Sequence, residues 1–242
     1  MINKYKKTFD AFCEDVKAVY GTKIRSVVVY GSIVSNEFIK NRSNINILII
    51  LDKVHFDTLT HALGLVRKWK HKAKIFPIII DQDYINKSVD VFPIEFLDMK
   101  ENNHVLYGLD VLKEVKIDLK NLKFQCEQEL KGKIIRLRQA YLETGLHGPA
   151  LEMVMVDSIP AIVAIFRAIL RLKGKVPPLQ KDQVIKEIAE MFNFNEDIGL
   201  RLLKIRKGEE RIYSKAKEVL FRDWLFELET LSKAIDETQA SR

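Results

Sequence analysis

The sequence contains few cysteines, prolines and glycines, and it has no long uninterrupted stretch of apolar residues. There are 2 cysteines, 6 prolines and 10 glycines among 242 residues, while 47% of the residues are hydrophobic and 30% are charged. This composition excludes low-complexity and disulfide-rich chains and is typical of a soluble globular protein. Cys13 and Cys126 fall in predicted helices without Cys-x-x-Cys spacing, so we expect reduced thiols in a cytoplasmic protein.

Signals for a membrane span or a metal centre are also missing from the sequence. The apolar stretches are shorter than the roughly 20 residues that a membrane-spanning helix needs, and the basic segment 1–7 is not followed by the apolar core of a secretory signal. The 5 histidines are scattered without the paired spacing of a zinc site. We therefore expect no membrane partner, no secretory signal and no resident metal.

The chain has a moderate excess of positive charge. Its formal net charge is +7 and its isoelectric point is about 9.2, which suits an anionic partner such as a nucleotide or a nucleic acid. The excess is spread over both halves of the sequence, and no zinc-finger spacing or aromatic RNA-binding motif accompanies it. We interpret the chain as a mildly basic protein for which a nucleotide is a reasonable ligand and a nucleic acid is not expected.

The first half of the sequence alternates between helical and strand periodicity. Apolar residues at helical spacing predict helices, and short, almost wholly apolar runs predict strands that are covered on at least one face. The predicted helices are 2–20, 55–70 and 82–88, and the predicted strands are 24–30, 45–51, 74–80 and 92–98. This order predicts an α+β fold with a mixed sheet and flanking helices, which we assign to a domain of residues 1–117.

The second half contains only helical patterns. Helices are predicted at 119–144, 149–173, 180–193, 196–206 and 209–237, with Pro160 expected to kink the second. Glycines, prolines and asparagines separate these segments. We therefore predict an all-α helical bundle domain over residues 118–242.

Residues 27–50 contain the most informative motif in the chain. An apolar run ends at Gly31 and Ser32, and a second apolar run opens with Ser-Asn-Ile-Asn, which places Asn44 and Asn46 two residues apart. Residues two apart in a strand point to the same face, so these two side chains should converge on one point. Gly31 permits a sharp turn and close approach of a phosphate, and Ser32 offers a hydroxyl and an N–H to it. A tight turn kept for packing explains Gly31 and Ser32 equally well.

This motif resembles that of the nucleotidyltransferase superfamily, the relatives of DNA polymerase β and kanamycin nucleotidyltransferase. In that family a strand-ending Gly-Ser is followed by Ser-Asp-Ile-Asp at the head of the next strand, and a catalytic head precedes a helical domain. The resemblance implies that Asn44 and Asn46 stand where the family has two aspartates that hold Mg²⁺. Mg²⁺ prefers anionic oxygens, and an amide carbonyl is neutral. The chain is identified as a degenerate member, with Mg²⁺ and a nucleoside triphosphate as cofactor and substrate only if it is active.

The family has a third carboxylate on the strand after the next helix. In the predicted strand 74–80 this position falls on Ile78, and the rival acids are Asp81 and Glu95. Two cations in the loop between the first two strands, Lys40 and Arg42, are placed where they could meet a triphosphate. A lone cation in a loop is usually just a solvated residue, and this is the alternative interpretation of each.

Three functions follow from these residues. The first is a nucleotidyltransferase-fold protein that is catalytically silent or weakened and acts by binding a nucleotide or a protein partner. The second is an active enzyme that transfers a nucleotidyl group to an acceptor hydroxyl with displaced carboxylates, drawn from Glu37, Asp52, Asp81 and Glu95. The third is a non-enzymatic, dimeric interaction module that binds no nucleotide.

Overall fold

The computed structural model describes residues 1–39, 43–145 and 149–237. It divides into two compact units, an N-terminal unit of Met1–Ile117 and a helical unit of Asp118–Arg242. The N-terminal unit contains helices α1 to α4 and strands β1 to β4. In chain order they are α1 Ile2–Tyr20, β1 Ile24–Tyr30, β2 Ile45–Leu51, α2 Phe56–Ala73, β3 Ile75–Asp81, α3 Gln82–Ser88, α4 Pro93–Glu101 and β4 Asn103–Gly108.

The four strands form one mixed sheet in the order β3-β2-β1-β4. β1 is antiparallel to both β2 and β4, and β2 is parallel to β3. β1 and β2 read as nearly continuous apolar runs because helices cover the sheet on both faces. The predicted α+β class, with a mixed sheet in the first half and helices in the second, is confirmed.

Each face of the sheet has its own apolar core. On one face α1 and α2 pack against alternate residues of β1 and β2, and Trp69 of α2 is fully buried there beside Phe12 of α1 at 5.4 Å between ring centroids. The indole N–H of Trp69 donates to Asp15 at 2.7 Å. On the other face, residues of α3 and α4 pack against Tyr30, Leu48 and their neighbours. The sheet is therefore the rigid element on which the residues near its edges are positioned.

The prediction of a strand at 92–98 is wrong, because this segment belongs to α4 and the fourth strand lies at Asn103–Gly108. The apolar residues Phe92, Ile94 and Phe96 alternate as in a strand, which suggested the wrong period. Pro93 occupies the first turn of α4, where its missing N–H is tolerated and its fixed φ favours the helix.

The helical unit consists of five helices in the described residues. They are α5 Leu119–Thr144, α6 Pro149–Leu172, α7 Lys181–Phe192, α8 Glu196–Lys207 and α9 Ser214–Asp236. The last helix begins at Ser214 and not at 209 as predicted, and α6 continues through Pro160. The expectation that no apolar segment is long enough to span a membrane is wrong for α6. Ala150–Leu172 has a mean hydropathy of 2.0 over its most apolar window, but 61% of that window is buried among the other helices, as in the core helix of a bundle.

Both cysteines are free thiols that lie inside these cores. Cys13 is buried on α1 in the N-terminal unit, and Cys126 is buried on α5 in the helical unit. Burial raises the pKa of the Cys13 thiol to about 11 and the pKa of the Cys126 thiol to about 12. Both side chains are therefore protonated packing residues at neutral pH.

Candidate functional site

The turn after β1 is held by backbone hydrogen bonds. Gly31 has a φ of +79° and begins a short 3₁₀ turn, Gly31–Ile33, whose first carbonyl accepts from the N–H groups of Val34 at 2.9 Å and Ser35 at 3.2 Å. The N–H of Gly31 donates to the carbonyl of Asn102, at the end of α4, at 2.9 Å. The Gly31 turn is thereby fixed to α4, and Ser32 lies half-buried at its centre.

Asn46 lies against this turn. A Cβ atom on residue 31 would be 3.4 Å from Nδ2 of Asn46, so the glycine allows the backbone to approach the amide closely. Asn46 is half-buried, whereas Asn44 is exposed just before β2. Within the described residues, the side chains of Ser32, Asn44 and Asn46 form no hydrogen bond, so their polar groups can bond a ligand or water.

The strand register determines which side chains flank Asn46. Its partner on β1 is Tyr30 and its partner on β3 is Phe76, and paired residues present their side chains on the same face of a sheet. Ile78 pairs with Leu48, one same-face position further along, and is 43% exposed. Ile78, the predicted position of the third carboxylate, therefore lies two residues along β3 from Phe76, the residue that pairs with Asn46. The position beside Asn46 holds an aromatic ring and no acid.

Two of the acids considered as displaced carboxylates, Asp81 and Asp52, lie at the end of the sheet opposite Asn46. Asp81 pairs with Leu51, five residues along β2 from Asn46, which corresponds to about 17 Å of strand. Its carboxylate accepts from the N–H groups of Tyr84 at 2.8 Å and Val54 at 3.1 Å, so it caps α3 and holds the loop before α2. Asp52, which follows β2 at the same end, pairs with Arg25 at 2.7 Å. These contacts give both acids a structural role far from Ser32.

We expect Asp81→Ala to lower the free energy of unfolding by about 1 kcal/mol at neutral pH, because it removes a helix cap. The N–H of Tyr84, followed by that of Val54, lowers the pKa of the Asp81 carboxyl below its ordinary value. Since the pKa is depressed in the folded state, this stabilisation is present above pH ~4 and is lost as the pH falls through the folded pKa. Urea denaturation at several pH values should show the variant and the wild type converging in acid.

The control for this prediction is Asp90→Ala, which removes an exposed carboxylate near the same helix. We expect it to change stability by less than about 0.5 kcal/mol, as for most surface substitutions. A difference between Asp81→Ala and the wild type that stayed constant down to pH ~2 would contradict the capping role.

An acid that the sequence reasoning missed, Asp98, lies near Tyr30, the β1 partner of Asn46. Burial raises the pKa of the Tyr30 phenol to about 12, and the nearby Asp98 carboxylate adds to this increase. Oδ1 of Asp98 accepts from Nδ2 of Asn102 at 2.9 Å, and Oδ1 of Asn102 is buried without a hydrogen-bond partner. Glu95 lies one turn earlier on α4 and is exposed. A helix start at Pro93 would have revealed this spacing, since residues 95, 98 and 102 share one helical face.

Glu37 is close to the Gly31 turn along the chain. Its N–H donates to the carbonyl of Ser32 at 2.9 Å, and its carboxylate lies 3.5 Å from the hydroxyl of Ser35. Lys40 and Arg42, the two cations predicted to meet a triphosphate, lie outside the described residues. Their role stays a prediction.

The donor set at this site does not fit two magnesium ions. Among the described residues, no group of three or more histidine, cysteine, aspartate or glutamate side chains is arranged to hold a metal ion. Asn44 and Asn46 offer neutral oxygens, and Tyr30 and Phe76 flank Asn46. Two-metal catalysis relies on carboxylates that bring the ions to the transferring phosphate, and the residues beside Asn46 on its two neighbouring strands are aromatic.

The fold matches a solved structure, although no protein-family model and no curated protein matches the sequence. The chain superposes on spectinomycin adenyltransferase from Enterococcus faecialis, crystallised with ATP and spectinomycin, with a TM-score of 0.63. The match covers 96% of this chain and 99% of that chain at 14% sequence identity. At this identity the likeness shows the fold alone. The chain has the nucleotidyltransferase fold of the kanamycin nucleotidyltransferase kind, as its Gly-Ser motif predicted.

Proposed function

We propose that this protein binds a nucleoside triphosphate at the Gly31 turn and does not transfer the nucleotidyl group by ordinary two-metal catalysis. The observation that carries the proposal is the amide of Asn46 lying against Gly31, between Tyr30 and Phe76 on the neighbouring strands. The matched spectinomycin adenyltransferase was crystallised with ATP, which supports a nucleotide as the class of ligand.

The chemistry of an amide supports binding without a metal. A carboxylate at position 46 would repel a triphosphate unless Mg²⁺ lay between them, whereas the NH₂ group of Asn46 donates directly to a phosphate oxygen. The Ser32 hydroxyl, in the turn that begins at Gly31, is a further donor for a phosphate. Loss of both carboxylates therefore removes the need for Mg²⁺ in binding and the means of neutralising charge during transfer.

Calorimetric titration with ATP, in excess Mg²⁺ and in EDTA, tests the proposal. We expect dissociation constants that agree within about 3-fold and no transfer of AMP to any acceptor in a panel of hydroxyl compounds. Binding that requires Mg²⁺, or clear transfer of AMP, would overturn the proposal. Absence of binding by any nucleotide would favour an interaction module that uses no nucleotide.

Gly31→Ala should weaken ATP binding at least about 10-fold, because the new methyl group lies where the turn meets the Asn46 amide and the positive φ is strained. Gly208→Ala is the matched control. Gly208 has a φ of +80° and no atom within 4 Å of the added Cβ, so it carries similar backbone strain away from the site. Equal ATP affinities for the two variants would show that the Gly31 turn does not contact the nucleotide.

A second candidate function is active transfer with a displaced acid. The observation that favours it is Asp98, which approaches Tyr30 on the Asn46 face, with Glu95 one turn before it on α4. In that case transfer of AMP would be Mg²⁺-dependent and would disappear in Asp98→Asn. The same transfer assay therefore separates the two candidates.

A further inference from the structure

The helical unit has an exposed apolar groove between α5 and α9. Its volume is about 810 Å³, and its floor includes the stacked rings of Tyr141 and Phe221, whose centroids are 5.0 Å apart. Two large apolar side chains at the groove stand in solvent, Leu142 with 81% and Phe226 with 65% of its surface exposed. Contiguous apolar surface of this kind on a folded protein marks an interaction site.

The solvent side of α9 has a regular pattern of charge. Between Glu218 and Lys233, six residues lie within about 50° of one direction when each residue advances by 100° around the helix. This α9 stripe consists of Glu218, Arg222, Leu225, Phe226, Glu229 and Lys233. Leu225 and Phe226 form its centre, and on either side of them the charges are mirrored with opposite sign.

We propose that two copies of this chain associate through the α9 stripe, antiparallel about a two-fold axis between Leu225 and Phe226. In an antiparallel pair with this centre, each residue faces the one at the same distance on the other side. Leu225 and Phe226 of the two copies then pack together around the axis, and Arg222 faces Glu229 of the second copy. Each such contact occurs twice because a two-fold interface is self-complementary.

The outer charges of the stripe select the same arrangement. Glu218 faces Lys233 of the second copy in the antiparallel register, so both flanking pairs join opposite charges. In a parallel pairing, each charged residue would face the identical residue of the second copy. Like charges would then repel at every charged position of the stripe. The pattern therefore specifies the direction of the pairing as well as its centre.

The size and rigidity of the surface suit a stable pair. α9 has 23 residues, about 35 Å of helix, and together with α5 it presents a face about 20 Å wide, or about 700 Å². A specific interface buries about 800 Å² on each partner. Ion pairs from Arg138 to Glu229 and from Lys131 to Asp236, both at 2.7 Å, hold α5 and α9 together.

A charge exchange tests the register. Within the described residues neither Glu218 nor Lys233 forms an ion pair, so substitution there breaks no ion pair of the single chain. In sedimentation velocity the wild type should have twice the 28.1 kDa mass of one chain. Glu218→Lys and Lys233→Glu should each raise the dissociation constant at least about 10-fold. The double variant should restore it, since the exchanged charges again face opposite charges.

Phe226→Glu tests the apolar centre and should raise the dissociation constant at least about 100-fold, because a charge is placed in the interface twice. The control is Phe124→Glu, which changes a similarly exposed phenylalanine, 68% exposed, on α5 outside the groove. A wild type that is monomeric at tens of micromolar overturns the proposal. A dimer that survives Phe226→Glu, or a double exchange that does not restore association, also overturns it.

Discussion

The double variant Asn44→Asp/Asn46→Asp is expected to bind ATP at least about 10-fold more tightly in Mg²⁺ than in EDTA, in contrast to the wild type. Residue 46 lies at the head of β2 and residue 44 two positions before it, and residues two apart in extended chain point to the same side, so we expect two carboxylates there to converge on one cation. In EDTA the same two charges should repel the triphosphate, and binding should fall below that of the wild type. Calorimetric titration under both conditions measures the change.

The matched control is Gln128→Glu/Gln139→Glu, which adds the same two negative charges at exposed positions on α5. It should leave the ATP affinity and its response to Mg²⁺ unchanged. If the control and the Asn44→Asp/Asn46→Asp variant behave alike, the effect arises from net charge and the assignment of the strand head as a metal position is wrong.

Transfer of AMP by the double variant should stay slow, because the residue paired with Asn46 on β3 is Phe76 and supplies no third carboxylate. Adding Phe76→Glu to the double variant should increase the rate of transfer, whereas adding Ile78→Glu should not. Strand pairing places residue 76 beside residue 46, and residue 78 lies two positions further along. A larger gain from position 78 would contradict the register.

Gly108→Ala is expected to lower the free energy of unfolding of the N-terminal unit by about 3–5 kcal/mol, much of the stability of a typical domain. Gly108 has a φ of +83°, and a Cβ atom there would lie 2.0 Å from the carbonyl oxygen of Arg25. This neighbour is backbone and is held in place. Gly108 pairs with Ser26, and the carbonyl of Arg25 accepts from the N–H of Leu109 at 3.1 Å.

Urea denaturation followed by tryptophan emission measures this loss, since Trp69 lies in the N-terminal unit and Trp224 in the helical unit. Gly208→Ala is again the control, because it has a similar φ and open space around the added methyl group. We expect it to cost about 1 kcal/mol. Comparable midpoints for Gly108→Ala and Gly208→Ala would show that β4 can move away from β1 at little cost.

The elements that the sequence predicts well are those whose ends carry a local signal. β1 stops at Gly31, and β2 starts after the polar loop, so both strands have the predicted bounds. The segment 92–98 failed because its short apolar run fits a period of two as well as a period of 3.6. That error hid Asp98 and Asn102, which approach the candidate site only when α4 is a helix.

The position beside Asn46 could not be predicted from local patterns. Which residue of β3 pairs with Asn46 depends on how the helix between β2 and β3 returns the chain to the sheet, which is a property of the packed structure. Ile78 and Phe76 are equally good strand residues, so nothing in the sequence around them distinguishes the two registers. The sequence could predict where the motif residues lie relative to the strands, because two strand ends and a fixed spacing specify them. These residues are Gly31, Ser32, Asn44 and Asn46.

The two buried thiols allow local opening of each unit to be measured in the native chain. A thiol-specific reagent reacts with the thiolate, so Cys13 can be alkylated only when the N-terminal unit opens and Cys126 only when the helical unit opens. Peptide mass analysis after a short exposure to iodoacetamide would separate the two rates within one sample. The local opening equilibrium of each half can thus be measured in the native chain, without a dye or an introduced label.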